Sequence, residues 1–264
     1  MYGRRQSLIL INGLTEQAEC WFSNLKFWQR HFDVHMPNIL VYEGELLHRR
    51  IETKQPIDVD YLVEQFHLYL QRFVQSPPYH LVASSLGGKI AVELAARYPE
   101  LFTRIVLLCP SGMGDEERLP IIEGVRRSDP TSVVNSVVVK PRKIDRGVLR
   151  YYQEKFTSKR WRLGLLRTIR GTMDHTVRER LRDVPHPTLL VSGKRDEIVD
   201  PHTAAEAVKQ LPRGQHLSLD CGHAPHIEKP WLVNRLVVHF LTSERPTPRP
   251  RLRELLWHSP NTIL

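Results

Sequence analysis

The chain has 264 residues, 41% of them hydrophobic, which is typical of a folded globular protein and excludes wholesale disorder. No apolar run approaches the roughly 20 residues that span a bilayer. The first six residues lack the features of a secretory signal, so we expect a cytoplasmic protein. The three cysteines, Cys20, Cys109 and Cys221, show no paired spacing, which argues against a disulfide framework and against a zinc site.

Short apolar runs that predict β-strands recur along the chain. Most are rich in leucine or β-branched residues and lack a period-two alternation, as expected of a parallel sheet covered on both faces. In chain order the predicted strands cover residues 8–11, 32–41, 80–83, 105–109, 188–192 and 216–219.

Amphipathic stretches of helical length lie between these strands, and the clearest of them places five apolar side chains at helical spacing between residues 58 and 73. The predicted helices cover residues 18–32, 60–74, 86–98, 202–210 and 231–241. Strands that alternate with helices indicate right-handed βαβ units. The sequence therefore predicts the α/β class, with a mostly parallel sheet flanked by helices.

The alternation is interrupted once, by an insertion at residues 111–184 that is large enough to cover one end of the sheet. The segments 118–128, 145–156 and 160–172 are predicted to be helical, and the segment 133–139 fits a strand or a helix. We therefore divide the chain into an α/β core (1–110 and 185–243), a helical cap (111–184) and a tail (244–264). Proline alternates with arginine at the start of this tail, which favours polyproline II.

The sharpest chemical motif is VASSLGG at residues 82–88, where an apolar strand runs through a serine directly into a glycine-rich helix start. A nucleophile elbow needs this arrangement, because a tight strand-to-helix turn holds the serine hydroxyl at the end of the sheet. Small residues must flank that serine, and Ala83 and Gly87 are small. Ser84 is one residue too early, so Ser85 is the candidate nucleophile. A serine that merely caps a helix would produce a similar motif.

A candidate acid follows the predicted strand at residues 188–192. Asp196 comes just past the glycine turn that ends this strand, and the carboxyl ends of parallel strands share one rim of the sheet. Glu197 and Asp200 are rivals for the same role. Asp200 precedes a proline, which favours a helix-capping role for it.

A candidate base follows the last predicted strand. His223 lies in the loop segment CGHAPH at residues 221–226. A single histidine is usually structural, but the order serine, acid, histidine, each after a strand, is that of a hydrolase triad. Cys221 next to His223 would be an alternative nucleophile pair, although the motif at Ser85 is stronger.

These residue types match one chemistry. A serine hydroxyl is a poor nucleophile until an imidazole takes its proton, and a carboxylate holds that imidazole in the required tautomer. We therefore assign Ser85 as nucleophile, His223 as general base and Asp196 as the orienting acid. Two backbone N–H groups must bind the developing oxyanion, and those of Leu86 and Leu14 are the candidates. This chemistry requires no cofactor and no metal.

The chain resembles the α/β-hydrolase superfamily, in particular its esterase and C–C hydrolase branch with a helical cap. The matching motifs are the SLGG segment at 85–88, the GKRD segment at 193–196, and GHAP with EKP at 222–225 and 228–230. The resemblance spans about residues 7–242 and implies a serine hydrolase that cleaves a carboxylic ester through an acyl-enzyme. This sequence differs from the family in carrying Asn12-Gly13 where His-Gly is common, a short N-terminal lead, and an unusual loop at residues 42–46.

Other functions remain compatible with the sequence. The same triad serves C–C bond hydrolases, which the loop at 110–114 resembles, and thioesterases. Dehalogenases and epoxide hydrolases of this fold use an aspartate at the elbow, and Ser85 argues against them. A ligand-binding protein without activity is the alternative from another class.

The basic charge is concentrated in the cap. Residues 118–182 hold 17 lysines and arginines against six acidic residues, and the whole chain has a net charge of +9. This excess suggests an anionic partner, such as a charged substrate, an acidic carrier protein or an anionic membrane surface. A helix that packs over the active site with its charged face in solvent explains the excess more simply, because apolar residues are interleaved with the charges. No nucleic-acid motif is present, so we expect a small acyl substrate and no nucleic acid.

Overall fold

The computed structural model describes residues 5–114 and 146–244, and the single positions 127, 129, 246, 247 and 250. Within these residues, six parallel strands form one sheet in the order β2-β1-β3-β4-β5-β6. The strands are β1 Ser7–Ile11, β2 Asp33–His35, β3 Tyr79–Ser84, β4 Phe102–Leu108, β5 Thr188–Gly193 and β6 Gly214–Leu219. The predicted α/β class and the predicted parallel sheet are confirmed.

Helices cover both faces of this sheet. They are α1 Phe22–Trp28, α2 Glu45–Glu52, α3 Val59–Phe73, α4 Leu86–Arg97, α5 Arg146–Thr157, α6 Lys159–Thr172, α7 Pro201–Ala207, α8 Pro225–Glu228 and α9 Pro230–Thr242. None of the helices in the described part of the chain is long and apolar enough to cross a membrane. The expected cytoplasmic location stays a prediction.

The core consists of two hydrophobic layers, one on each face of the sheet. In β1, Ile9 and Ile11 belong to the layer that includes α3 and α4. Leu8 and Leu10 belong to the opposite layer, which includes Trp28 and α9. All of β1 is therefore buried, which explains why its sequence does not alternate between apolar and polar residues.

The order of the strands determines where a ligand can bind. The chain moves from β1 outward to β2 and then returns to place β3 on the other side of β1. The loops after β1 and β3 therefore leave the sheet in different directions, and parallel α/β sheets usually bind ligands at the carboxyl ends of strands at such a point. The segment after β1 contains Asn12 and Gly13, and the residue after β3 is Ser85.

Some sequence-based boundaries are wrong. The strand predicted at residues 32–41 is only Asp33–His35, because this edge strand stops before Pro37, which has no N–H for a ladder. The helix predicted at residues 18–32 is a 3₁₀ turn, Ala18–Trp21, followed by α1. Helix α2 was not predicted.

The described part of the cap consists mainly of α5 and α6, which confirm the helices predicted at residues 145–156 and 160–172. The segment 133–139 and almost all of 118–128 lie outside the described residues, as does most of the 244–264 tail. The proposed domain boundaries therefore stay predictions.

Helix α6 packs closely on the core through two glycines. A Cβ atom added to Gly164 would lie 2.4 Å from the Tyr42 carbonyl oxygen, and one added to Gly171 would lie 2.2 Å from the Ile57 carbonyl oxygen. Real Cβ atoms do not approach backbone oxygens this closely. The buried Lys89 of α4 also donates to the Thr172 carbonyl at 2.9 Å, which holds the end of α6 on the core.

Replacing Gly171 by alanine should therefore destabilise the protein. We expect Gly171→Ala to lower the free energy of unfolding by about 1–3 kcal/mol, because α6 or the Ile57 backbone must move to admit the methyl group. Urea denaturation measures the loss. The exposed neighbour provides a control, since Arg170→Ala should change stability by no more than about 0.5 kcal/mol. Equal midpoints for both variants would contradict the close packing.

Candidate active site

Ser85 lies in a strained turn between β3 and α4. Its backbone angles are φ 49° and ψ −119°, a conformation that costs an L-residue about 1–3 kcal/mol. Hydrogen bonds impose this conformation. The Ser85 N–H donates to the Leu108 carbonyl at 3.1 Å, and the Ser85 carbonyl accepts from Gly88 at 2.8 Å and from Ser111 at 3.0 Å. The structure thus places Ser85, and not Ser84, at the sharp turn that the motif predicts.

Glycines after Ser85 allow α4 to start close to neighbouring backbone. A Cβ atom on Gly87 would lie 2.4 Å from the Ile11 carbonyl oxygen, and one on Gly88 would lie 2.5 Å from the Pro110 Cβ. Side chains at these two positions would push the helix away from the ends of β1 and β4. The glycines thereby bring Ser85 next to the loop that follows β1.

Three of the predicted site residues meet at this edge of the sheet. The Ser85 hydroxyl lies 2.8 Å from His223 Nε2. On the other side of the ring, His223 Nδ1 lies 2.9 Å and 3.1 Å from the two carboxylate oxygens of Asp196. Only 4% of the His223 side chain and 1% of the Asp196 side chain are exposed. The three side chains therefore form a continuous, largely dry hydrogen-bonded chain.

The Asp196 carboxylate is held in its charged form. Burial raises its pKa, but the His223 imidazole and the N–H groups of Ile198 and Val199 lower it more, and the net pKa is lowered. These two N–H groups donate to Oδ1 at 2.9 Å and 3.0 Å. Because a charged carboxylate only accepts hydrogen bonds, the proton lies on His223 Nδ1. Nε2 is then free to accept the Ser85 hydroxyl proton.

The rivals for these roles lie elsewhere. The Asp200 carboxylate caps α7, accepting from His202 N at 3.3 Å and from Thr203 N at 3.2 Å, as the sequence suggested. Glu197 is exposed. Burial raises the pKa of the Cys221 thiol to about 12, so it stays neutral and is a poor nucleophile.

The segments that carry the two predicted oxyanion donors both lie close to Ser85. Leu86 begins α4, where backbone N–H groups lack a helical partner. On the other side, a Cβ atom on Gly13 would lie 3.0 Å from the Ser85 Cβ, so the loop after β1 closely approaches the serine. The Gly13 N–H is engaged by the Glu16 carboxylate at 2.6 Å. Leu14 supplies the next N–H along the loop, and its role stays a prediction.

The model of the alpha/beta hydrolase family matches residues 8–233. The chain belongs to this family, and it is a hydrolase. This result confirms the resemblance inferred from its motifs.

Individual members of the alpha/beta hydrolase family resemble this chain at low identity. Monoacylglycerol lipase abhd6-B of Xenopus laevis is 23% identical over 274 residues, covering 93% of this chain and 78% of that protein. The carboxylesterase CesB of Bacillus subtilis superposes with a TM-score of 0.70 at 19% identity, covering 91% of this chain and 85% of that one. A meta-cleavage product hydrolase of Pseudomonas fluorescens IP01 superposes with a TM-score of 0.72 at 20% identity, covering 90% of this chain and 91% of that one. At this identity the structural matches show the common fold.

Some residues that contact the loop after β1 were not predicted from the sequence. The buried Tyr42 donates its hydroxyl to the Leu14 carbonyl, and its ring contacts Trp161 of α6. Glu16 binds the Gly13 N–H, and His226 lies against Glu16. The unusual loop at residues 42–46 was a signal for Tyr42. Glu16 gave no signal, because an acidic residue in a loop is normally solvated.

Two groups of side chains bring metal-binding atom types within 4.8 Å of one another among the described residues. One consists of Cys109 with Asp196 and His223, and these two side chains already bind each other. The other consists of Glu16, Cys20 and His226. Burial raises the pKa of the Cys20 and Cys109 thiols well above the ordinary value, which disfavours the thiolate that metals bind.

Part of the basic charge of the cap is neutralised by the core. Lys155 of α5 pairs with Glu43, and Arg160 of α6 pairs with Glu45 at 2.9 Å. Both acidic residues belong to the loop and helix that follow residue 42. These pairs are at least one-third exposed, so each contributes at most about 1 kcal/mol. They nevertheless place α5 and α6 over the unusual 42–46 loop.

The choice of acid can be tested with a pair of aspartates. We expect Asp196→Asn to lower kcat by about 10⁴-fold, because the amide no longer selects the Nδ1–H tautomer of His223. Asp200→Asn should keep kcat, since Asp200 only caps α7 and asparagine is an equally good cap. Steady-state hydrolysis of p-nitrophenyl butyrate measures both. A larger loss in Asp200→Asn than in Asp196→Asn would overturn the assignment.

Proposed function

We propose that this alpha/beta hydrolase is a serine hydrolase of carboxylic esters that works through an acyl-enzyme. The observation that carries the proposal is the hydrogen-bonded chain from the Ser85 hydroxyl through His223 to the Asp196 carboxylate. Relatives described as a monoacylglycerol lipase and a carboxylesterase support an ester as the substrate class. The expected substrate is a small acyl compound, with no cofactor required.

Acylation begins with Ser85. Its oxygen attacks the ester carbonyl carbon while its proton moves to His223 Nε2, and the carbonyl π electrons move onto the oxygen. The Asp196 carboxylate stabilises the imidazolium that forms. When the tetrahedral intermediate collapses, the ester C–O bond breaks and the alcohol leaves with the proton from Nε2. Ser85 then carries the acyl group.

Deacylation repeats these steps with water. The water oxygen attacks the acyl carbon while His223 Nε2 takes a proton from the water. His223 then gives this proton to the Ser85 oxygen as the bond between that oxygen and the acyl carbon breaks. The products are a carboxylic acid and the free enzyme. Every proton that leaves a nucleophile is delivered to a leaving group, so the cycle needs no further reactant.

In this proposal, the oxyanion that forms in acylation and again in deacylation lies between the backbone N–H groups of Leu14 and Leu86. Removing one such donor costs about 10²–10³ in kcat in other serine hydrolases. The strained turn at Ser85 supports this role, because it exposes the serine oxygen next to the first N–H of α4. The tie between the Leu14 carbonyl and the Tyr42 hydroxyl supports it as well, because it fixes the orientation of the preceding peptide groups.

Ser85→Ala provides the direct test of the nucleophile. We expect it to lower kcat for p-nitrophenyl butyrate by about 10⁴-fold or more and to abolish covalent labelling by a fluorophosphonate probe. Thermal stability should stay close to that of the wild type, since a single hydroxyl is removed.

Ser84→Ala is the matched control, because Ser84 is the preceding serine and points away from His223 in the hydrogen-bond pattern. It should keep the fluorophosphonate label at Ser85, and its kcat should fall far less than that of Ser85→Ala, because it loses only the bond from the Ser84 hydroxyl to Glu16. Loss of activity in Ser84→Ala with retention in Ser85→Ala would disprove the proposed nucleophile. A wild-type chain that fails to react with the probe would favour a ligand-binding protein. Preferred turnover of a thioester or a vinylogous diketone over esters would show a different substrate class.

The pH dependence of kcat/KM should report the histidine. Because the pKa of Asp196 is lowered, its carboxylate remains charged as the pH falls towards 5 and does not limit activity there. Protonation of His223 removes the base, so activity should fall with a slope of one as the pH drops from neutral towards 5. Initial rates on a neutral ester measure this acidic limb. A rate that stays constant well below that range would contradict the role of His223.

A further inference from the structure

A second buried carboxylate lies behind the proposed oxyanion loop. The side chain of Glu16 is only 7% exposed. Its Oε2 atom accepts the Gly13 N–H at 2.6 Å, and its Oε1 atom accepts the Ser84 hydroxyl at 3.2 Å. One carboxylate therefore joins the loop after β1 to the end of β3.

The two groups that it joins are adjacent to the reacting parts. Gly13 directly precedes Leu14, the proposed oxyanion donor, and Ser84 directly precedes the nucleophile Ser85. The backbone of Glu16 closes the same loop, because its N–H donates to the Gly13 carbonyl at 3.3 Å and its carbonyl accepts from the Asn12 side chain at 3.0 Å. Glu16 thus spans the gap across which the oxyanion must be bound.

A histidine provides a counter-group for this carboxylate. His226 Nε2 lies 3.3 Å from Glu16 Oε1, and the imidazole is fully buried against Trp21, with ring centroids 4.4 Å apart. Burial raises the pKa of Glu16, but the nearby His226 and the Gly13 N–H lower it more, and the net pKa is lowered. Glu16 is therefore charged at neutral pH and can accept from Gly13 and Ser84 at the same time.

Burying a charged carboxylate is costly unless its oxygens are satisfied. If the position only had to fill space, an apolar side chain would do so without the free-energy cost of desolvating a charge. The atoms that Glu16 binds are instead those that set the distance between the loop and the serine. Oxyanion donors function only within a narrow distance range of about 2.7–3.1 Å from the oxyanion.

We propose that Glu16 is a positioning residue that fixes the Leu14 N–H relative to the Ser85 oxygen. The inference rests on the proposed serine hydrolase function and extends it. Glu16 does not touch the substrate; it acts through Gly13 and Ser84. Without it, the loop is still held at Leu14 by Tyr42, so the protein folds, but the distance between donor and nucleophile is no longer fixed.

The experiment compares three variants of the full chain. Glu16→Gln removes the charge and replaces one of the two accepting oxygens by an NH₂ group, which can only donate. Glu16→Asp keeps a charge near His226 but shortens the side chain, so that it cannot reach Gly13 and Ser84 together. Glu93→Gln is the matched control, because Glu93 is a buried carboxylate of α4 that pairs with Arg97 and His175.

Four measurements are made on each variant: kcat and KM for p-nitrophenyl butyrate, the melting temperature, the rate of fluorophosphonate labelling, and inhibition by trifluoromethyl octyl ketone. This ketone forms a tetrahedral adduct with the serine whose oxyanion occupies the donor site. We expect both Glu16 variants to lower kcat by about 10–100-fold with little change in KM. The affinity for the ketone should fall by a similar factor. Glu93→Gln should lower the melting temperature and leave kcat and ketone affinity unchanged.

Specific results would overturn the proposal. Wild-type kcat and ketone affinity in Glu16→Asp would show that Glu16 only provides a carboxylate beside the buried His226 ring. This variant remains informative if Glu16→Gln does not fold. One equivalent of zinc bound to the wild type and lost from Glu16→Gln would show a metal site formed with Cys20 instead. If the fluorophosphonate probe does not label the wild type, the proposed serine hydrolase function is refuted. If the probe labels the Glu16 variants and their kcat is unaltered, only the positioning role of Glu16 is refuted.

Discussion

The site depends on the backbone conformation of Ser85. A positive φ at this position is unfavourable by about 1–3 kcal/mol, and three backbone hydrogen bonds to Leu108, Gly88 and Ser111 offset it, each contributing about 1 kcal/mol. Two of these partners belong to β4 and the loop after it, so the turn is held by the neighbouring strand as well as by its own helix. The geometry of the proposed nucleophile is thus a property of the sheet. The reversal of strand order at β1 and β3 then places the loop after β1 beside it.

Charge is arranged on both sides of the nucleophile in the same way. Asp196 lies behind His223 on one side, and Glu16 lies behind the loop after β1 on the other, each with a histidine in contact. The pKa of both carboxyl groups is lowered in the folded chain. Their ionised forms therefore contribute stability above the pKa values of the unfolded chain, and this contribution is lost as the pH falls through the lower folded values. The two carboxylates with proposed roles in catalysis therefore also contribute to stability.

The sequence predicted those features that arise from local pattern. Apolar runs without alternation predicted a parallel sheet because both faces of β1 and β3 are buried. The sharp turn at Ser85 was predicted because an elbow needs small flanking residues. Asp200 was recognised as a helix cap from the following proline. Glu16 and His226 could not be predicted, because they are separated by more than 200 positions and meet only after folding. The shortness of β2 was missed because an edge strand with one partner can stop early, whereas the apolar pattern continues past Pro37.

The loop at residues 42–46 also combines a signal in the sequence with contacts that form only on folding. Its sequence differs from the pattern common in the family. Tyr42 donates to the Leu14 carbonyl, its ring meets Trp161 edge to face at 5.4 Å, and its own carbonyl accepts from the His48 ring at 2.8 Å. The loop after β1 is therefore joined to helix α6 of the cap through one buried tyrosine. Gly164 of α6 packs directly on the Tyr42 backbone, so the same helix contacts both the main chain and the ring of Tyr42. The loop that carries the proposed oxyanion donor is thus contacted from two directions, by Glu16 from within the core and by Tyr42, which packs against α6.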